Sequence, residues 1–331
     1  MTAPMQLFIG EFITGGGLRD QPLPESLAHE GDMILRTLLD DFSDTGRVSL
    51  LTTRDDRLQP LPVGIHSIPV PASIDDIWSQ CLSEADAAII VAPETDKILY
   101  KWTRQAAEQG CPLLGSSQDA VELTTSKRRT LEYLGYRNIP VVPHLDISTG
   151  QEPGNQCYVV KPDDGVGAEK CRRITGYENL VDYLEVSGDD NLVQEYISGT
   201  PASLSLLCLD AQCRLLAANE QLFEFCDDGR GVLHGIVING IPLSDTLAGP
   251  GNAIVSAIPG LAGFVGVDLI LTAGGPRVLE INPRLTTAYA GLRQSLGRNP
   301  ADWLLSLHEL RQLPDIHGLQ YRPVTLSLEN T

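Results

Sequence analysis

The sequence predicts an α/β fold that passes, beyond about residue 115, into an α+β arrangement of antiparallel strands. Three observations carry this. Short β-rich apolar runs alternate with helical spacing up to about residue 115, the order that builds βαβ units and a parallel sheet. Later apolar runs follow one another with only turns between them, which suits antiparallel pairing. The 331 residues, 42% hydrophobic with 31 Gly and 22 Pro but no repeat, are enough for about two domains of ordinary size. They are too unbiased for a collagen, a coiled coil or a disordered chain.

Residues 5–12 read as an apolar strand running into Gly15, Gly16 and Gly17. Residues 24–42 read as a helix with Leu27, Met33, Ile34, Leu38 and Leu39 on one face. Residues 48–52 and 87–92 are further strands, and 74–85 and 95–109 have helical spacing, the latter ending at Gly110. The segment 116–134 reads as two short helices, with Thr124, Thr125 and Ser126 as caps ahead of Lys127. Ile139-Pro140 ends the helix, and Val141-Val142 opens a strand. Strands at 157–161 and 192–195 flank a polar, Gly-containing turn at 163–167, and 202–219 suits antiparallel strands. A helix at 251–258, strands at 264–271 and 277–281, and a last helix at 303–313 complete the pattern. The expected lobes are 1–115, 116–190 and 191–331.

With 24 Lys+Arg against 43 Asp+Glu the net charge is −19, which opposes phosphate backbones and anionic bilayers at long range. Neither nucleic acid nor membrane is therefore expected as a partner, and a nucleotide bound by so acidic a chain needs local cations and a metal. No apolar run approaches the roughly 18 residues of a membrane span, and no basic, apolar leader opens the sequence. Seven cysteines, odd in number and without a CxxC pair, suit buried thiols in a reducing cytoplasm. The six histidines lack metal-ligand spacing.

Two segments carry chemistry. In the first, Val159-Val160-Lys161 leads into Asp163-Asp164-Gly165-Val166-Gly167, a strand ending in an ammonium beside a turn whose backbone can approach phosphate oxygens. It is neither a Walker loop nor a GxGxxG helix opening, and an ordinary hairpin turn explains the same residues. In the second, Asp268 lies in an apolar run that is followed by Glu280, Asn282 and Arg284. Residues two apart on a strand share a face, so two carboxylates and an amide oxygen form a hard-oxygen site of the kind Mg²⁺ takes. Arg284 adds a fork for a phosphoryl group. A hairpin with solvated acids is the alternative, and it does not explain three oxygen ligands punctuating apolar strands. Between these segments, residues 191–199 form an apolar-flanked edge able to hold a purine. Read alone, Glu195 there is a solvent-facing strand residue.

The ordered set Lys127, Lys161 with its Gly turn, the edge at 194–199, Asp268 and Glu280-x-Asn282-x-Arg284 resembles the ATP-grasp superfamily from about residue 115 to 292. Residues 1–115 look like that family's preceding Rossmann-like domain. The resemblance implies ATP as nucleotide and Mg²⁺, or Mn²⁺ in its place, as metal. By the same token Lys127, Lys161, Gly165 and Gly167 lie at the phosphates, and Gln194, Glu195, Tyr196 and Ile197 at the adenine. Asp268, Glu280 and Asn282 hold metal, and Lys161 and Arg284 carry catalysis. Many members contact the ribose through a Glu just after the Gly of the adenine edge; Gly199-Thr200-Pro201 departs from that, and the ribose contact has no assigned residue.

The amino-terminal runs Ile9-Gly10-Glu11-Phe12-Ile13-Thr14-Gly15-Gly16-Gly17 and His29-Glu30-Gly31-Asp32-Met33 resemble the ATP-grasp ligases of methanofuran biosynthesis. Those enzymes join the γ-carboxylate of glutamate to the amine of tyramine. This places Glu11, Gly15 and Gly16 with the substrate, although a tight turn before a helix explains the glycines equally. The expected activity is ATP-dependent ligation of a small carboxylate to an amine through an acyl-phosphate. Many family members are homodimers, but the sequence marks no interface. A D-alanine–D-alanine-like or glutamate-adding ligase, a non-catalytic ATP-binding regulator and a nicotinamide dehydrogenase are the other readings, the last lacking GxGxxG spacing.

Overall fold

The computed structural model describes residues 4–71, 73–146, 156–165, 170–188 and 190–328. Four parallel strands, β1 (Met5–Glu11), β2 (Val48–Asp55), β3 (His66–Val70) and β4 (Ala87–Val91), form a sheet in the order β3-β2-β1-β4. The helices α1 (Glu25–Thr45), α2 (Asp75–Glu84) and α3 (Ile98–Glu108) accompany it. Every residue of β4 is buried, as expected of a strand covered on both faces. The glycines after β1 form a π-helical turn, Ile13–Gly17, rather than a simple tight turn. The helix expected over 95–109 begins instead with a 3₁₀ turn, Thr95–Lys97. Asp96 and Lys97 stand there in the left-handed region (φ 54° and 57°), and α3 starts at Ile98.

Helices α4 (Gln118–Thr125) and α5 (Lys127–Gly135) follow. Of the three expected caps only Ser126 acts as one for α5, its Oγ accepting from the Arg129 N–H at 3.1 Å. Thr124 and Thr125 belong to α4 and donate back to the carbonyls of Ala120 and Val121. A small antiparallel sheet, β6-β5-β7, is built from β5 (Cys157–Pro162), β6 (Arg172–Thr175) and β7 (Asn191–Glu195), with α6 (Tyr177–Ser187) against it. The last sheet has six strands in the order β12-β11-β8-β9-β10-β13. These are β8 (Thr200–Leu209), β9 (Gln212–Phe225), β10 (Gly231–Ile238), β11 (Gly263–Thr272), β12 (Gly275–Asn282) and β13 (Val324–Ser327). Helices α7 (Asp245–Ala257), α8 (Tyr289–Leu296) and α9 (Pro300–Leu310) complete it.

A lobe boundary was expected at 190/191; β7, which follows it, pairs with β5 along its whole length in the small sheet. Helices α4 and α5, expected with the central lobe, put Ala120, Leu131 and Leu134 into one core with Leu204, Leu206 and Val267 of the six-stranded sheet. The first domain is not separate from the last lobe either. Leu7, Ile9, Leu35 and Phe42 share a continuous apolar core with Leu207, Phe264, Tyr289 and Leu304. On its other face the parallel sheet has a separate core around Phe8, Trp78 and Trp102, and the small sheet has one around Tyr158, Val160, Leu180 and Val193. Among the described residues no helix is long and apolar enough to cross a membrane, and all seven cysteines are free thiols.

Candidate active site

A cleft of about 320 Å³ lies between the small sheet and the six-stranded sheet. Its apolar part is lined by Val142, Val159, Ile197, Ile270 and Leu279, and by an aromatic group, Tyr196, Phe223 and Phe225. Phe223 and Phe225 meet edge to face at 5.0 Å, and the Arg173 guanidinium lies 5.3 Å from the Phe225 ring centre and 5.7 Å from that of Tyr196. Of the residues expected at the adenine, Gln194, Glu195, Tyr196 and Ile197 all line this cleft. Gln194 is buried and its Nε2 donates to the Val142 carbonyl at 3.1 Å, which ties β7 to the segment after α5.

The polar part gathers residues distant in sequence. Asp268 on β11 stands directly opposite Glu280 on β12. The pairing then slips by one residue, leaving Leu279 bulged, so that both Leu279 and Glu280 face the cleft. Lys127, the first residue of α5, and Lys161, near the end of β5, approach the same Glu280 oxygen at 3.4 and 3.7 Å. Lys127 also donates to the Gly165 carbonyl, and its N–H bonds the Asp163 carbonyl at 3.0 Å. The Asp163 carboxylate accepts from Ser126 Oγ and from the Arg128 N–H (2.5 and 2.7 Å), so the turn after β5 caps α5. Gly167 lies outside the described residues.

The electrostatics follow from burial. Desolvation pushes the Lys161 ammonium below the ordinary lysine range; Glu280 opposes this and Lys127 adds to it. Burial by itself would raise Glu280, but Lys127 and Lys161 hold it below the usual glutamate value. Asp268 is pushed up to about 8, first by burial and then by the neighbouring Glu280 charge. Gln221 Nε2 and Asn282 Nδ2 donate to its two oxygens at 3.0 and 3.3 Å.

A divalent cation fits this arrangement. Two buried carboxylates cannot both ionise side by side without added positive charge, and the Asn282 amide, having turned its nitrogen to Asp268, leaves its oxygen free to ligate. Among the described residues no group of three or more His, Cys, Asp or Glu gathers as a cage. The protein therefore offers the few hard-oxygen ligands that Mg²⁺ accepts when phosphates and water supply the rest.

Arg284 lies beyond this group, at the interface with the parallel sheet. Its Nε and Nη2 donate to the two oxygens of Glu94 at 3.0 and 2.9 Å, and Nη1 donates to the Leu285 carbonyl at 3.1 Å. Glu11, at the carboxyl end of β1, is buried, which pushes its carboxyl above the ordinary glutamate range against its hydrogen bonds and the Arg284 charge; Ile13 N–H, Thr14 N–H and Thr14 Oγ1 donate to it at 3.1, 2.7 and 2.6 Å. Glu30 on α1 also lies within the field of Arg284 and accepts from Thr287 Oγ1. Gly15 and Gly16 are not brought to the cleft. Each is packed inside the first domain, where an added Cβ would lie 2.8 Å from Thr53 Oγ1 or 2.6 Å from Val70 Cβ.

Sequence reasoning missed Gln221, Phe223, Phe225, Arg173 and Glu94. The first three carried a signal: they lie two apart on β9 and so share a face. Arg173 and Glu94 had none, because only the tertiary fold brings them to the site.

The comparisons agree with this geometry. Residues 124–288 match the model of an ATP-grasp domain, and residues 48–121 that of a pre-ATP-grasp domain. The chain belongs to the ATP-grasp family, with a pre-ATP-grasp domain ahead of the nucleotide-binding lobes. It is 29% identical over 288 residues to a tyramine–L-glutamate ligase of Methanocaldococcus jannaschii, covering 86% of this chain and 83% of that protein. A protein of the same name from Methanocaldococcus fervens is 28% identical over 291 residues, with 86% and 88% covered. Among solved structures, an ATP-grasp superfamily protein from Archaeoglobus fulgidus superposes with a TM-score of 0.71 at 27% identity, covering 91% of this chain and 88% of that one.

Proposed function

We propose that this chain is an ATP-dependent carboxylate–amine ligase that joins the γ-carboxylate of glutamate to tyramine. One observation carries the reaction class. Lys127, Lys161, Asp268 and Glu280 converge at the polar part of an otherwise apolar cleft, with Arg284 just beyond. An apolar slot suits a purine, paired ammonium groups suit phosphates, and paired carboxylates suit the metal that accompanies them. The names of the two curated relatives, which this chain matches over most of their length, support the substrate pair.

In this reading the adenine lies against Tyr196, Ile197 and Leu279, and Lys127 and Lys161 neutralise the phosphate oxygens. Mg²⁺ on Asp268, Glu280 and Asn282 would supply Lewis-acid charge to the β- and γ-phosphates. A substrate carboxylate oxygen attacks the γ-phosphorus, the bond to the bridging oxygen breaks and ADP leaves, giving an acyl-phosphate. The amine nitrogen then attacks the acyl carbon, inorganic phosphate departs and the nitrogen loses a proton, leaving an amide. The residues contribute position and fixed charge rather than a covalent nucleophile. The free thiols and the lack of a long apolar helix among the described residues suit a cytoplasmic enzyme.

The test is ADP release with Mg²⁺-ATP and paired acids and amines, with product masses recorded. Glutamate plus tyramine should give ADP and the mass of γ-glutamyl-tyramine, and Lys161→Ala or Glu280→Ala should abolish it while the protein stays folded. ADP formed only with another pair, such as two D-alanines, would overturn the substrate assignment. Full activity in either variant would overturn the site.

A further inference from the structure

Arg284 reaches the site with most of its hydrogen-bonding capacity already committed. Of its five N–H donors, two go to the carboxylate of Glu94 and one to the Leu285 carbonyl, which leaves two for an incoming oxyanion. A guanidinium held in this bidentate way is fixed in its own plane, so its remaining N–H groups present one edge. Both partners are nearly buried, with side chains 14% and 7% exposed, so the pair is little screened by solvent.

Glu94 comes from another domain. It lies in the segment that leaves β4, at the carboxyl end of the parallel sheet and beside Glu11. The same segment reaches a third part of the molecule. Thr95 Oγ1 donates to the Asp164 carbonyl at 3.2 Å, and the Asp96 N–H to the Asp164 carboxylate at 3.1 Å. Asp164 sits between Asp163, which caps α5, and Gly165, whose carbonyl accepts from Lys127. Directly after these contacts the chain passes through two consecutive left-handed residues, Asp96 and Lys97, neither of them glycine, before the helix begins at Ile98. Such a conformation persists where the surroundings over-determine it.

We propose that Glu94 is a positioning residue for Arg284 and that residues 93–97 form a two-ended clasp. One end fixes the arginine of the last lobe, and the other fixes the turn that carries the phosphate-binding lysine's contacts. The first domain thereby sets the relative position of the two groups that must meet one phosphoryl group. This rests on the ligase reading above. It adds that Glu94 acts through Arg284 and does not touch substrate.

The experiment compares wild type with Glu94→Gln, which keeps the side-chain shape but replaces one acceptor oxygen with a donor and removes the charge. Steady-state ligation with glutamate and tyramine, ATP binding by calorimetry and the Arg284 Nε–H proton resonance are recorded, the last assigned by its loss in Arg284→Lys. The expected result is a 10- to 100-fold fall in kcat, an ATP dissociation constant within twofold of wild type and loss of the protected Nε–H signal. A kcat within twofold of wild type overturns the proposal and leaves the ligase reading intact. So does an ATP affinity that falls in parallel with kcat, which marks a general loss of structure. If wild type forms no ADP with any pair, the ligase reading fails by itself. An Nε–H signal that still depends on Glu94 then supports the positioning of Arg284, and one that does not overturns it.

Discussion

Gly31 breaks a local rule, and the structure gives the reason. It lies inside α1, where glycine costs about 1 kcal/mol relative to alanine, so Gly31→Ala at an ordinary helical position would stabilise the protein by that amount. Here the added Cβ would lie 2.8 Å from Glu11 Oε2, 2.9 Å from its Cδ and 3.0 Å from Oε1. The carboxylate is not free to retreat, because Thr14 Oγ1, Thr14 N–H and Ile13 N–H hold it at 2.6, 2.7 and 3.1 Å. Hydrogen bonds to a charged group contribute about 1.5–3 kcal/mol each, so losing the equivalent of one costs about 1.5–3 kcal/mol. Set against the helix gain of about 1 kcal/mol, Gly31→Ala should destabilise by about 0.5–2 kcal/mol. In a Glu11→Ala background the obstruction is gone, and the same change should stabilise by up to about 1 kcal/mol. Urea midpoints of wild type, both single variants and the double variant, at constant m-value, measure the difference. If Gly31→Ala stabilises wild type as much as it does the Glu11→Ala protein, the packing of Gly31 against Glu11 is refuted.

Two further outcomes follow from particular contacts. Phe225→Ala removes the ring that meets Phe223 and Arg173 in the cleft wall. Aromatic contacts of this kind contribute about 0.5–1.5 kcal/mol, so the KM for ATP should rise roughly 2- to 12-fold with kcat within twofold, as initial rates would show. Asp55 lies buried at the end of β2; burial would raise its pKa, but the hydrogen bonds and charge of Arg57, with the charge of Arg19, hold it below the usual aspartate range. Its contribution is therefore fully present above about pH 3.9 and is lost as pH falls through the lower folded value. Asp55→Asn should cost about 1–2 kcal/mol at pH 7 and flatten the acid limb of a melting-temperature profile, whereas an unchanged acid limb would exclude this role.

The candidate site residues could be picked out because they interrupt apolar strands or stand at a helix start. Asp268, Glu280 and Asn282 interrupt apolar runs at positions that pairing brings together, and Lys161 ends a run where a strand must stop. That the first sheet is parallel was legible from the alternation of strands and helices, whereas β3 and the strand order were not. What was not legible depended on contacts between segments far apart. Nothing local in Gln118–Thr125 or Lys127–Gly135 says which sheet their apolar faces will cover. Glu94 reads as a helix-start acid, and its partner Arg284 lies 190 residues away. The glycines at 15 and 16 read as a substrate turn, whereas their close approach to Thr53 and Val70 arises from packing within the domain.

The places where local preference fails lie in the cleft or in the segments that meet Arg284 and Glu11 beside it. A bulge at Leu279, left-handed residues at 96 and 97, a glycine inside α1 and a buried cluster of lysines and carboxylates each cost stability for reasons the core does not supply. Burial opposes the charge on Lys161 and on Asp268, so these two side chains weaken the fold they sit in. Such groups persist where a ligand of complementary charge offsets them, and under the proposed reading that complement would be a polyanion on the lysine side together with a cation on the carboxylate side. A nucleotide triphosphate with its metal would carry both charges in one ligand, facing the group in which Glu280 links Lys127 and Lys161 to Asp268. The same polarity runs on to Arg284, the one guanidinium that Glu94 holds with two N–H groups still to give. On the proposed ligase reading, phosphoryl transfer toward that arginine, rather than nucleotide storage, is the activity for which this order of charges would have a use.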